Sequence, residues 1–155
     1  MASTRIFTLP VVLFAALTHA AAQPQPAPAN PNHAPSFIDA DAAQVLDKFR
    51  RALEDHNQGQ LIKLFDPARM SDFAAFRDQV TQFFEKYQAF QVRYHLTQTA
   101  SENEFGIVVA DFALEATPNG SASPNVRKNV QLRLVLAWND REWKIVDLAP
   151  LTLFS

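Results

Sequence analysis

"AFQVRYHLTQT", Ala89–Thr99, is the stretch on which the fold turns. Phe90, Val92, Tyr94 and Leu96 alternate with Gln91, Arg93, His95 and Thr97. A period of two builds a strand with one apolar and one polar face. Just upstream the period is that of a helix. Phe73, Phe76, Val80, Phe83, Phe84 and Tyr87 fall on one stripe, with Ser71 as the expected N-cap. Such a stripe reads as core, and each buried phenylalanine contributes roughly 1.5–3 kcal/mol.

Downstream the chain keeps the strand period. "EFGIVVADFALEAT", Glu104–Thr117, is apolar on both faces in its middle. Its orientation therefore stays open: Asp111 points inward with Ile107 and Val109, or outward while Val108, Ala110, Phe112 and Leu114 fill the interior. "PNGSASPN", Pro118–Asn125, is a turn-forming loop. In Val126–Trp138, Val130, Leu132, Leu134, Leu136 and Trp138 alternate with Asn129, Gln131 and Arg133. Asn139-Asp140 then turns the chain into a last strand, Glu142–Ala149, on which alternation groups Trp143, Ile145 and Asp147.

Upstream lie two more helices. Asp41 reads as an N-cap with Gln44 three residues on, and Val45, Leu46, Phe49, Leu53 and His56 form the apolar face. Gly59 is placed to end this helix in a left-handed conformation. Gln60–Phe65 reads as a short second helix, stopped before Pro67. Asp66 and Asp72 are read as residues that cap or end helices. Three helices followed by four hairpin-linked strands make an α+β domain, with the helices on one face of a curved antiparallel sheet.

The N-terminus belongs to a different class of sequence. Arg5, the apolar run Ile6–Leu17 and Ala20-Ala21-Ala22 have the pattern of a secretory signal peptide, residues 1–22. The run is shorter than the roughly 20 residues that span a bilayer. Residues 23–36 follow as a proline-rich linker, and 37–155 as one folded domain. The expected location is secreted or periplasmic, with no membrane attachment after cleavage. The chain has no cysteine, which excludes disulfides and thiolate chemistry. Its net charge of −2, without a basic run, gives no nucleic-acid surface.

"FRRALEDHNQGQLIKLF", Phe49–Phe65, and the closing "WKIVDLAPLTLF", Trp143–Phe154, resemble the opening helices and terminal strand of the NTF2-like (cystatin-like, SnoaL-like) superfamily. The resemblance covers about residues 37–155. It implies a cone, in which a curved sheet wraps three helices around a cavity, and often a homodimer packed sheet to sheet. It implies little about activity, since members include isomerases, hydrolases and adaptors. Two departures separate the chain from the ketosteroid isomerases of that superfamily. The first helix has Phe49 and Arg50 where those enzymes have a tyrosine. The strand that carries their basic aspartate, just after the second helix, is read as missing.

The candidate site residues follow from the strand faces. If Asp111, Asp147 and Tyr94 all line the cone, two carboxylates and a phenol meet in an apolar cavity suited to acid–base work. Otherwise Asp147 pairs with Arg133 or Lys144 on the surface. Tyr94, Trp143, Asp147, Phe49 and His56 are the candidates for a ligand pocket. His56 is a conceivable general base or metal ligand, but it reads first as a helix-terminal histidine favoured by the dipole. His19, His33, His56 and His95 show no metal-ligand spacing, and there is no nucleophile elbow or phosphate-binding loop, so no metal or cofactor is expected. The reading that results is an exported, non-catalytic NTF2-like domain that binds a small apolar ligand or a protein partner, with homodimerisation through the sheet face. The alternative is an enzyme of isomerase or hydrolase type using acidic residues in the cone.

Overall fold

The structure, a computed structural model, describes residues 34–120 and 123–155. The expected signal peptide and most of the linker lie outside them, as do His19 and His33. Helix α1 is Asp39–Glu54, α2 is Gln58–Lys63 and α3 is Phe73–Lys86. The strands are β1 Tyr87–Glu102, β2 Phe105–Pro118, β3 Val126–Asn139 and β4 Glu142–Ala149. They pair in sequence order, every neighbour antiparallel. A four-residue 3-10 helix, Leu151–Phe154, closes the chain.

Several helix ends differ from expectation. α1 starts two residues before Asp41, with Ile38 at the N-cap; the Asp41 carboxylate accepts a hydrogen bond from the Ile38 backbone N–H at 3.1 Å. Asp41 thus supplies the returning half of a capping box, which an acid in the first turn does well. The left-handed residue after α1 is His56, with φ 51°, and Gly59 lies inside α2. The chain turns early because Asn57 is needed as the N-cap of α2, where its side chain accepts from the Gln60 N–H at 2.9 Å. At α3 the N-cap position is Asp72, also left-handed, and it makes no side-chain cap bond; Ser71 precedes it.

One face of the sheet is buried against the helices. Phe90 and Val92 of β1, Val108, Ala110, Phe112 and Leu114 of β2, and Leu132, Leu134 and Leu136 of β3 join α1 and α3 in one core. β2 is therefore oriented with its bulkier set inward and Asp111 outward. β4 follows alternation only as far as Ile145. Leu136 pairs with Ile145 and Val135 with Asp147, so Val146 is an extra residue. This bulge shifts the alternation by one. Leu148 turns inward at 2 % exposure, and Asp147 does not share the inner face with Trp143 and Ile145.

The strand read as missing after α2 survives as a single bridge. Phe65 pairs parallel with Ile145, the Asp66 N–H donates to the Ile145 carbonyl at 2.9 Å, and the Ile145 N–H donates to the Leu64 carbonyl at 2.8 Å. Phe65 packs into the core against Phe49 and Phe76. Asp66 reaches the β3–β4 hairpin instead. Its carboxylate, 2 % exposed, accepts from the Ala68 N–H at 2.9 Å and from Asn139 Nδ2 at 3.0 Å, with Arg69 Nε 3.9 Å away. Replacing Asp66 with alanine leaves those donors without their acceptor, and the expected loss of stability is about 2–3 kcal/mol. Urea melts of Asp66→Ala and Asp66→Asn check this. Alanine should cost clearly more than asparagine, which keeps one acceptor oxygen; equal melts would show that water replaces the carboxylate.

Candidate functional site

The interior of the cone is built from rings. Phe49 of α1 lies 5.7 Å from Phe112 of β2, 6.5 Å from Phe65 and 6.2 Å from Phe154, centroid to centroid. Phe76 of α3 lies 4.5 Å from Phe65 and 5.7 Å from Phe154. Phe154, from the 3-10 helix, is thus inserted between α1, α3 and the sheet, where sequence reasoning expected a cavity. Lys128 holds this last turn: its Nζ donates to the carbonyls of Thr152 at 3.0 Å and Leu153 at 3.2 Å, and to that of Ser155.

The candidate acids do not converge with Tyr94. Asp111 stands on the outer face, between His95 and Gln131 in register. Asp147 is exposed and faces Arg133 NH1 at 3.7 Å, the surface pairing anticipated as the alternative. Tyr94 does lie on the inner face with Phe90 and Val92, but its hydroxyl donates to Asp47 Oδ1 of α1 at 2.9 Å. Burial, and then the Asp47 carboxylate that accepts its hydrogen bond, hold the Tyr94 phenol above its ordinary value. The remaining pocket candidates are also dispersed. Phe49 is in the central ring cluster. His56 stacks on Phe90 at 5.5 Å, and its Nε2 donates to the Tyr87 carbonyl at 2.7 Å. Trp143 packs on Phe37 and Trp138.

Asp47 is a residue that sequence reasoning passed over. With Arg50 and Glu54 it forms a charged row on α1: Arg50 bonds Glu54 Oε2 at 2.7 Å and Asp47 Oδ1 at 3.4 Å. Glu54 also accepts the Val92 backbone N–H at 3.1 Å. The row therefore caps the free edge of β1, a position where an unpaired N–H would otherwise invite another strand. The i, i+3, i+7 spacing of Asp47, Arg50 and Glu54 was visible in the sequence; its strand target was not.

The outer face of the sheet carries what the interior does not. Ile107 and Val109 of β2 and Val135 of β3 are half-buried there, and Phe105 is 40 % exposed. Below this apolar end, Arg93, His95, Asp111, Ala113 and Asn129 border an open concavity of about 500 Å³. Arg93, Gln91, Glu115 and Arg127 border an adjoining one of about 510 Å³. Arg127 pairs with Glu115 at 3.1 Å, whereas Arg93 and Asp111 have no ion-pair partner among the described residues. Among the described residues no group of three or more His, Asp or Glu side chains is placed to hold a metal ion, and no helix is long and apolar enough to cross a membrane.

No family model and no curated protein matches the chain by sequence. Solved structures match its shape. A candidate scytalone dehydratase from Novosphingobium aromaticivorans superposes with a TM-score of 0.62 at 9 % identity, over 70 % of this chain and 79 % of the other. A candidate dehydratase of the NTF2-like family from Streptomyces avermitilis gives 0.60 at 13 % identity, over 70 % and 92 %. An NTF2-like superfamily protein from Salmonella enterica gives 0.57 at 8 % identity, over 68 % and 83 %. At such identities shape alone is shared, and it agrees with the strand order of the antiparallel sheet and the three helices described above: the chain carries the NTF2-like fold.

Proposed function

We propose that this is an exported, non-catalytic binding domain that works through the outer face of its sheet, and that the occupant of that face is a second copy of the chain. The observation that carries this reading is the contrast between the two faces. The inner one is filled by the chain's own rings; the outer one leaves Ile107, Val109 and Val135 uncovered by any helix. A sheet with apolar residues on both faces needs cover on both. The charges around the strip favour self-association. Arg93 and Asp111 stand near one another on this face with opposite charges, the arrangement that a self-complementary twofold contact needs. Against the enzyme reading, Asp111 and Asp147 face outward, and the Tyr94 hydroxyl is engaged by Asp47. The dehydratase descriptions belong to the neighbours.

Analytical ultracentrifugation at about 10–50 μM tests the occupant, since interfaces of ordinary size dissociate with constants from about micromolar downward. A dimer is expected, and Val109→Asp should convert it to a folded monomer. A parent protein that is monomeric throughout removes the second copy and leaves another protein as the partner. Export has its own measurement. Mass spectrometry of the protein recovered outside the cytoplasm should find a chain that begins near Gln23; full-length protein confined to the cytoplasm would end that part of the proposal.

A further inference from the structure

The two flanks of α1 differ in how their charges are used. On one, Asp47, Arg50 and Glu54 neutralise one another. On the other, Lys48, Arg51 and Asp55 follow at i, i+3 and i+7, a spacing that puts all three on one stripe. That stripe borders a cleft of about 570 Å³, which Lys63 of α2 and Glu142 and Lys144 of β4 also line. Lys144 is fixed in place. Its side chain is 20 % exposed, and its Nζ donates to the Lys63 carbonyl at 2.7 Å and pairs with Glu142 Oε1 at 2.6 Å. Lys48, Arg51 and Lys63 make no ion pair among the described residues, and Asp55, one turn beyond Arg51, pairs with none of them. Four cations thus face two acids around one concavity, a surplus of two positive charges, in a chain whose net charge is −2.

We propose that this cleft binds a small phosphate monoester. Unpaired like charges around a concavity concentrate the opposite charge there, and their mutual repulsion is relieved when an anion enters. A monoester phosphate carries close to two negative charges above its second pKa, roughly 6, and so matches the surplus in one group. Its oxygens accept from several sides. That suits donors brought by three elements: the two-pronged guanidinium of Arg51, the ammonium groups of Lys48 and Lys63, and the N–H of Lys144 that its two partners leave over. A carboxylate offers one charge and two oxygens in a plane. The concavity is of the size that holds a small organic molecule rather than a bare ion. Asn57 and Gln60 line it too, so the body of the ester meets amide groups. Ile107, Val109 and Val135 take no part in this site, which does not depend on the dimer proposed for the outer face.

The test is an NMR titration of the isotope-labelled protein with glycerol phosphate, at constant ionic strength and about pH 7.5, where the ester is a dianion. Amide resonances of residues 48–55, 60–64 and 142–144 should shift together and saturate. Arg51→Gln and Lys63→Gln should each weaken binding about tenfold, the worth of one charge-assisted hydrogen bond. Both side chains are exposed, so both variants are expected to fold. Arg77→Gln, which removes an exposed charge from α3 outside the cleft, should leave the affinity unchanged. Succinate, a dicarboxylate, should bind at least about tenfold more weakly than the ester. Shifts that do not saturate, or an equal loss in all three variants, would overturn the proposal, because the anion would then be answering the general field of the surface. Succinate binding as tightly as glycerol phosphate would overturn the assignment to a phosphate ester.

Discussion

Phe76→Ala is expected to lower the free energy of unfolding by about 3–5 kcal/mol, the range for deleting a buried ring from a core that cannot collapse around the gap. Phe76 is 3 % exposed and touches three other rings: Phe65 at 4.5 Å, Phe73 at 6.4 Å and Phe154 at 5.7 Å. These neighbours come from α3, the segment after α2 and the C-terminal turn. Each is held by its own backbone, so none can slide into the space the ring leaves. Phe83 is placed similarly, stacked on Phe90 at 5.0 Å and edge-on to Phe154 at 5.5 Å, and its alanine variant should fall in the same range. The chain has no disulfide to constrain its unfolded state, so the loss appears in full in a denaturant melt. A change below about 1 kcal/mol would mean that the rings repack and that α3 contributes little to the core.

Much of this architecture could be read from the sequence, and the reason lies in the contrast between strand faces. β1 and β3 each have one face of bulky apolar residues and one of polar residues, so Phe90 and Val92, or Leu132 and Leu134, could be placed inside with only the period as a guide. β2 lacks that contrast. Ile107 and Val109 compete with Val108, Ala110, Phe112 and Leu114, and pairing to its neighbours decides the matter in favour of the second set. For β4 the misreading was definite. Lys144, Val146 and Leu148 look like one face of an ordinary strand, but the bulge at Val146 turns Leu148 inward and frees Asp147. A bulge depends on how two strands are matched along their length, and the local pattern carries no trace of it. The left-handed residue after α1 was missed for a similar reason. Glycine is the usual occupant, and Gly59 was nearby. The demand of α2 for Asn57 as its N-cap set the turn at His56.

The candidate site was less legible because it was sought in the wrong medium. Carboxylates on strands stand out in the sequence, yet the buried groups left without partners among the described residues are a threonine hydroxyl and an indole N–H. Neither stands out in a sequence. Three of the acids have ordinary employment, Asp147 with Arg133, Asp47 with Tyr94 and Arg50, and Asp66 with the hairpin, while Asp111 stands on the outer face.

Phe154→Ala addresses the one element that periodicity did not foresee at all. Leu151–Phe154 follows a proline, spans four residues and has no repeat to analyse. Its value is entirely tertiary: Phe154 is 2 % exposed among Phe49, Phe76 and Phe83. If the tail fills a space that the fold would otherwise leave open, removing its ring should cost about 3–5 kcal/mol and leave a dry cavity lined by three phenylalanines. Calorimetry measures the cost. Benzene then distinguishes a cavity from simple fraying, because a dry apolar space of ring size binds it and the folded state is stabilised in proportion to ligand concentration. A melting temperature that rises with benzene in Phe154→Ala, and not in the parent, would show that the cone of this chain is a binding chamber occupied by its own C-terminus. A small loss with no response to benzene would mean that the last turn frays and the helices close over the gap. The tail would then be a cover on the core, and the ring contacts of Phe49 and Phe76 with it would carry little of the stability.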